Sequence, residues 1–257
     1  MILVAGRGTR LGPGITDGGP KCLVPVLHSS ILEIQVAALS EVGVREVVLV
    51  VGHEVARVRE AASRLETRYG VNFSFLENRE YATTNTAVSM AKAAEVLRGG
   101  AYTLNGDVVF DRALIQALAA APGEAVVVVD PHPCGAEEVK VHLGAHNRVL
   151  AMGKALDPAS ADGEFIGIAR FSSAAGSVFA DALMAHADLS EWRMRYYDDL
   201  LHEIAASVPM TGLVLHGVPM VEIDFPEDLE RAREYLRQRL VVAEKYGPGE
   251  QAGLGNG

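Results

Sequence analysis

A short apolar run, Ile2-Leu3-Val4-Ala5, opens the chain and breaks at once into a glycine-rich, basic stretch extending from Gly6 to Lys21. Such a run, bounded by glycine, reads as a short buried strand. Gly6 and Gly8 permit positive φ and a close backbone approach to a ligand. Successive amide N–H groups in a turn of this kind form a nest for anions. Arg10 and Lys21 add two cations, and Pro13 and Pro20 stiffen the connection between them. Strand, glycine turn, arginine and prolyl-lysine together point to a cradle for a triphosphate.

Two familiar phosphate loops are excluded by spacing. A dinucleotide fingerprint requires glycine at the sixth position counted from Gly6, where this chain has Leu11, and an acidic residue closing the second strand. That strand, 46–51, ends in Gly52-His53, with Glu54 the nearest acid. A Walker loop requires Gly-Lys-Ser/Thr, which does not follow. The loop is of another kind.

Strand and helix signals alternate from the N-terminus to about residue 120: strands near 46–51, 71–76 and 101–104, with helical spacing at 31–42, 54–69 and after Thr83 or Thr84, either of which can cap a helix. This predicts an α/β fold with a doubly wound, mostly parallel, Rossmann-like mixed sheet, whose ligands lie beyond the carboxyl ends of the strands. Between about 131 and 200 the strand-like segments are separated by short turns, which predicts a small antiparallel β insertion. One domain, 1–243, is expected, with 244–257, Gly-rich and polar, as a disordered tail.

A formal net charge of −10 argues against a general nucleic-acid binder. Cys22 and Cys134 are the only cysteines, so no disulfide framework is expected and a reducing, cytoplasmic setting is. Met1 leads directly into the first strand, with no basic n-region or long apolar run, so neither signal peptide nor membrane span is expected.

Asp107 and Asp224 each follow an apolar strand, in Tyr102-Thr-Leu-Asn-Gly-Asp107 and Val221-Glu-Ile-Asp224. Brought to one crevice they suit Mg²⁺, which takes one or two carboxylates together with phosphate oxygens. Each also fits a plainer role: Asp107 as a turn residue, Asp224 as a helix cap before Pro226. Lys154 follows a strand and can face an anionic second substrate. Lys140 alternates with Val139 and Val141, so it points either into the crevice or to water. Trp192, Tyr196, Tyr197, Asp198 and Asp199 form an aromatic and acidic cluster, either a cage for an amine or quaternary ammonium or the start of a core helix. No activated cysteine or nucleophile elbow is present.

With these residues in view, the chain resembles the nucleotidylyltransferases of the sugar-nucleotide pyrophosphorylase type, through Ala5-Gly-Arg-Gly-Thr-Arg-Leu11, Pro20-Lys21, Pro25-Val26, Gly106-Asp107 and Glu222-Ile-Asp224. Within that family, Thr84-Asn85, Gly153-Lys154, Glu164-Phe-Ile-Gly-Ile168, Tyr196-Tyr197-Asp198-Asp199 and Ile223-Asp-Phe-Pro resemble the phosphocholine cytidylyltransferase branch. The resemblance implies that Ala5, Gly6, Gly8, Thr9 and Arg10 hold the nucleotide, Ala5 and Gly6 bordering its base. It implies further that Lys21 neutralises the α-phosphate, that Arg10 lies nearer the leaving pyrophosphate, and that Asp107 and Asp224 hold Mg²⁺. Thr84 and Asn85 would read the base edge or the acceptor, and Lys154, Glu164, Tyr196, Tyr197 and Asp198 would meet the acceptor. Val4 and Thr86 depart from the family pattern, where a second alanine and a second asparagine are common, and Gly14 with Gly18-Gly19 loosens the loop before Pro20.

The expected activity is CMP transfer from CTP to a small phosphate- or phosphonate-bearing acceptor, phosphocholine-like, with release of pyrophosphate. The alternatives are a sugar 1-phosphate nucleotidylyltransferase using UTP, dTTP or GTP, and a non-catalytic nucleotide-binding regulator.

Overall fold

The computed structural model describes residues 1–246 apart from 188, with side chains as far as 238. Strand β1 (Ile2–Val4) leads into a 3₁₀ turn at Thr9–Leu11, the short helix α1 (Pro13–Thr16), and a second 3₁₀ turn at Lys21–Leu23. A small hairpin follows, β2 (Pro25–Val26) with β3 (Ser29–Ser30), and then α2 (Ile31–Glu41). Ser30 caps that helix by accepting from the Glu33 N–H, the serine half of a capping box. The alternation continues through β4 (Glu46–Val51), α3 (Val55–Tyr69), β5 (Asn72–Glu77), α4 (Thr86–Lys92), α5 (Ala94–Arg98), β6 (Ala101–Asn105), β7 (Val108–Phe110) and α6 (Arg112–Ala120). The second half contains β8 (Ala125–Asp130), β9 (Lys140–Leu143), β10 (Val149–Gly153), β11 (Gly163–Phe171), α7 (Ser173–His186), α8 (Tyr197–Ile204), β12 (Met210–Val214), β13 (Met220–Glu222) and α9 (Pro226–Tyr246).

The main sheet is mixed, as the sequence pattern predicts. β1 pairs in parallel with β4 and β6, and β4 with β5, which makes the N-terminal half parallel. The antiparallel strands of the second half are not a separate sheet. β11 is long enough to pair with β6 and β9 and also with β8, on either side of a register shift between Phe165 and Ala169, so it welds the two halves into one surface. β12 extends the edge parallel to β8.

Helices cover both faces, because both faces of the strands are apolar. α4, α5, α7 and α8 pack Met90, Leu97, Phe179, Leu200 and Leu201 on one side. α2, α3 and α6 pack Leu32, Val36, Leu39, Val58, Leu114 and Leu118 on the other. A third cluster, with Leu11, Val24, Ile31, Val109, Ile223 and Leu229, seats the first loop against α9.

Three local expectations are corrected. The cap of α4 is Asn85, whose side chain accepts from the Thr86 N–H, rather than Thr83 or Thr84. Lys140 points neither into the crevice nor to water: it is buried and its Nζ donates to the carbonyls of Gly135 and Ala136 at 3.1 and 3.0 Å, pinning the loop before β9. Helix α9 runs past residue 243 to Tyr246, so 244–246 are helical, and the rest of the expected tail, 247–257, lies outside the described residues.

Candidate active site

Asp107 and Asp224 meet because of a two-stranded ribbon that the sequence pattern did not reveal. β6 ends at Asn105 and the chain turns at Gly106, where a Cβ would lie 2.5 Å from the Leu3 carbonyl oxygen, so only glycine lets the turn cross β1 this closely. β7 then pairs antiparallel with β13, Val108 opposite Glu222, and the Ile223 N–H donates to the Asp107 carbonyl at 2.9 Å. The register places Asp107, Glu222 and Asp224 together, with carboxylate oxygens within 4.8 Å of one another. Buried Ile223 anchors the ribbon, and its neighbours Glu222 and Asp224, two residues apart, turn to the opposite side. Sequence reasoning does not single out Glu222 as a site residue; the period-2 alternation around Ile223 is the signal that finds it.

Two cations converge on the same carboxylates. Lys21 Nζ lies 2.9 Å from Asp107 Oδ2 and 2.7 Å from Asp224 Oδ1. Arg10 Nη1 lies 2.8 Å from Asp224 Oδ2, its guanidinium 5.6 Å from the centre of the Phe225 ring. Burial lowers the Lys21 pKa, but Asp107 and Asp224 outweigh it and the net shift is upward, so Lys21 is held charged. Glu222 moves the other way: burial first, then the carboxylates of Asp107 and Asp224, push its carboxyl up to about 8. Asp107 Oδ1 is buried with no hydrogen-bond partner among the described residues. An orphaned buried carboxylate oxygen within a set of three hard oxygen donors fits a site for Mg²⁺.

The first loop is shaped for packing as much as for ligand approach. Gly8, not Gly6, takes positive φ (65°), and a Cβ on it would come within 2.8 Å of Lys21 Cβ. A Cβ on Gly6 would meet nothing within 4 Å, and Gly6 borders the cleft. Leu11, the residue that breaks the dinucleotide fingerprint, is 2% exposed and belongs to the third cluster. Burying a leucine this fully contributes about 1.5–3 kcal/mol, so the position serves packing rather than phosphate approach. The segment around Gly18-Gly19 is tied down rather than loose: His53 Nε2 lies 2.9 Å from the Gly18 carbonyl, and Arg57 Nη1 donates to that of Asp17 at 3.2 Å.

A cleft of about 1170 Å³ runs from this cluster across the carboxyl ends of the strands. Ala5, Gly6, Arg10, Thr84, Asn85, Asp107, Asp224, Lys154, Glu164, Tyr196, Tyr197 and Asp198 line it, as do Asn105 and Glu222. Gly8, Thr9 and Lys21 are not among the lining residues, and Lys21 reaches the cleft only through its bonds to Asp107 and Asp224. Thr84 Oγ1 donates to the Glu80 carbonyl at 2.9 Å and accepts from Asn78 Nδ2 at 3.2 Å. Asn85 Oδ1 is engaged as the helix cap. The Asn85 N–H donates to the Arg193 carbonyl at 2.7 Å, which clasps this loop to the opposite wall.

On that wall, Lys154 Nζ lies 4.6 Å from the centre of the Tyr196 ring and 3.9 Å from Glu137 Oε2. Tyr197 is buried, donating to Asn105 Oδ1 at 3.1 Å and packing edge-on to Phe165. Asp198 is buried as well, and burial pushes its carboxyl up to about 6. Burial, then Glu138 and Asp130, push Glu164 up to about 7. Of the two readings of the aromatic and acidic cluster, the start of a core helix is the one that forms: Tyr197 and Asp198 are buried in the first turn of α8, Trp192 packs against His186 with ring centres 4.4 Å apart, and Asp199 pairs with Arg195 at 3.5 Å. Asp130, His132 and Glu138 also line the cleft, and no sequence signal singled them out.

A family model for a MobA-like NTP transferase domain matches residues 1–162. The chain belongs to the MobA-like NTP transferase family. Among its family relatives, a CMP-5'-(3-aminopropyl)phosphonate synthase from Streptomyces rubellomurinus is 41% identical over 133 residues, covering 52% of this chain and 20% of that protein. A choline-phosphate cytidylyltransferase from Streptococcus pneumoniae is 35% identical over 107 residues, covering 42% of this chain and 43% of that protein. The matched region thus spans less than half the length of either relative. More widely, a mannose-1-phosphate guanylyltransferase catalytic subunit beta from Dictyostelium discoideum is 33% identical over 113 residues, 43% of this chain and 31% of that protein. The fold matches the solved CTP:phosphocholine cytidylyltransferase from Streptococcus pneumoniae with a TM-score of 0.74 at 23% identity, over 91% of this chain and 97% of that one. Among the described residues no helix is long and apolar enough to cross a membrane.

Proposed function

We propose that this chain transfers CMP from CTP to a small acceptor bearing a phosphate or phosphonate, releasing pyrophosphate, with Mg²⁺ held by Asp107 and Asp224. The observation that carries the reading is the convergence of Arg10 and Lys21 on Asp224 at the head of the cleft, with Asp107 and Glu222 beside them. The choice of CTP and of a charged acceptor is supported by the similarity to a CMP-5'-(3-aminopropyl)phosphonate synthase and a choline-phosphate cytidylyltransferase.

In this reading an acceptor oxygen attacks the α-phosphorus of CTP in line. A new P–O bond forms as the bond to the bridging oxygen breaks, and that electron pair leaves with pyrophosphate. A phosphate monoester has its second pKa near 6 and is largely ionised at neutral pH, so no side chain is needed to take a proton. Lys21 and Arg10 lie where negative charge has to be neutralised on the α-phosphate and the leaving group. The Gly6 to Arg10 backbone and Thr9 orient the triphosphate; Ala5, Gly6, Thr84 and Asn85 border the base. Lys154 meets the acceptor anion, with Glu164, Tyr196, Tyr197 and Asp198 around its head group. When bound, the metal ion supplies charge neutralisation and a template for the phosphates.

A pyrophosphate-release grid tests this: CTP, UTP, dTTP, GTP and ATP against phosphocholine, aminoethylphosphonate and several sugar 1-phosphates. CTP-dependent release with a small zwitterionic acceptor is expected. Because guanylyltransferases for mannose 1-phosphate are also relatives, release only with a sugar 1-phosphate would replace this reading. Tight nucleotide binding with no turnover would favour a regulator.

A further inference from the structure

The acceptor end of the cleft carries more negative charge than its own cations neutralise. Asp130, Glu138, Glu164 and Asp198 line it, against the ammonium of Lys154 and the imidazole of His132. Asp198 is the sharpest case. It is 5% exposed, and its Oδ2 has no hydrogen-bond partner among the described residues. A buried carboxylate oxygen without a donor is costly to leave, and it marks a place where a ligand's N–H completes the site. Glu164 is similarly enclosed, its side chain 15% exposed, and stands 3.5 Å from His132 Nε2, too far for a good hydrogen bond.

The aromatic side of the site is already committed. Tyr196 is the exposed ring, and Lys154 lies over it. Tyr197 is packed into the core and Trp192 is turned away. A quaternary ammonium has no N–H and is recognised by open aromatic faces. A primary ammonium brings three donors and needs carboxylate or carbonyl acceptors. The wall offers acceptors and no free aromatic box.

Resting on the cytidylyl-transfer reading above, we infer that the acceptor carries a primary ammonium, seated on Asp198 and Glu164, and that quaternary analogues are rejected. The ammonium and the phosphate or phosphonate then occupy opposite ends of one short acceptor.

The test compares kcat/KM, with CTP and Mg²⁺, for ethanolamine phosphate against phosphocholine, which differ only in N-methylation, and adds aminoethylphosphonate to separate phosphate from phosphonate. Ethanolamine phosphate should be preferred by at least about tenfold, as for a site built around a substrate N–H. Asp198→Asn and Glu164→Gln should each erode that preference by raising KM for the primary amine more than for phosphocholine, with melting temperatures verifying the fold. Equal use of the two, or a preference for phosphocholine, overturns the inference and leaves cytidylyl transfer standing. A preference that survives in both folded variants overturns the assignment to these carboxylates. Turnover of a sugar 1-phosphate and of neither amine overturns the underlying reading and this inference with it.

Discussion

Lys21 and Asp224, 203 residues apart in sequence, are joined by a 2.7 Å hydrogen bond, and the same ammonium reaches Asp107 at 2.9 Å. The lysine therefore neutralises the two carboxylates proposed to hold the metal. Once a nucleotide is bound, the same charge is wanted on the α-phosphate. Lys21→Met should lower kcat by about 10²–10³-fold, the size of effect expected for losing one preorganised charge donor. It should also tighten Mn²⁺ binding to the nucleotide-free protein, followed by electron paramagnetic resonance, because the competing ammonium is gone. Weaker Mn²⁺ binding in the variant would show that Lys21 does not compete for the carboxylates.

Removing a metal ligand should act differently. Asp107→Ala should cut pyrophosphate release at least about 10²-fold while leaving the far-ultraviolet circular dichroism unchanged, since Asp107 sits at a turn with its backbone carbonyl held by Ile223. Chelation by EDTA should stop the wild-type reaction and added Mg²⁺ restore it. Undiminished turnover in EDTA would refute the metal assignment.

Glu222 makes the stability of the nucleotide-free protein depend on pH. Burial and the neighbouring carboxylates raise its pKa from 4.5 to about 8, so the folded chain holds a proton that the unfolded chain releases in that window. Unfolding then releases protons, and stability is greatest below the lower value and falls as pH rises through the upper one. The melting temperature should drop across about pH 5 to 8, and Glu222→Gln should flatten that slope. A profile unchanged by the substitution would mean that Glu222 does not carry the effect.

Gly8 is proposed to act through Lys21. Alanine there must adopt φ near 65° and brings a Cβ within 2.8 Å of Lys21 Cβ. The left-handed backbone alone costs about 1–2 kcal/mol. Gly8→Ala should therefore lower both melting temperature and kcat. Gly6→Ala, with open space around its Cβ, should leave the melting temperature unchanged and raise KM for the nucleotide. Identical effects of the two substitutions would contradict this division of labour.

The parallel half of the fold was legible because β1, β4 and the helices between them write their periods plainly into the sequence. The loop's charges were legible for a similar reason: Arg10 and Lys21 sit among glycines and prolines that leave few packing roles for them. What the pattern did not reveal depends on pairings between distant segments. The antiparallel strands looked like an insertion because their signals are local, while their membership of the main sheet rests on β11 pairing with β6. The strand before Asp224 was legible, but β7 and its pairing with β13 were hidden because each strand is three residues long and the two lie more than 100 residues apart. Trp192 and Lys140 misled for one reason: composition places an aromatic or a lysine near a site but does not say which way it turns. His186 and the Gly135 carbonyl decide that here.

The reach of β11 has a consequence for redesign. Its C-terminal half is bonded to β6 of the parallel half, while Glu164, near its other end, pairs with Lys140 and lines the cleft. Side chains at that end can be exchanged without altering the strand's pairing with β6, because the two duties fall on different residues. The fold is in that sense a socket with an interchangeable fitting, and if the proposed transfer holds, a library confined to positions 154, 164 and 198 is the economical route to a new acceptor.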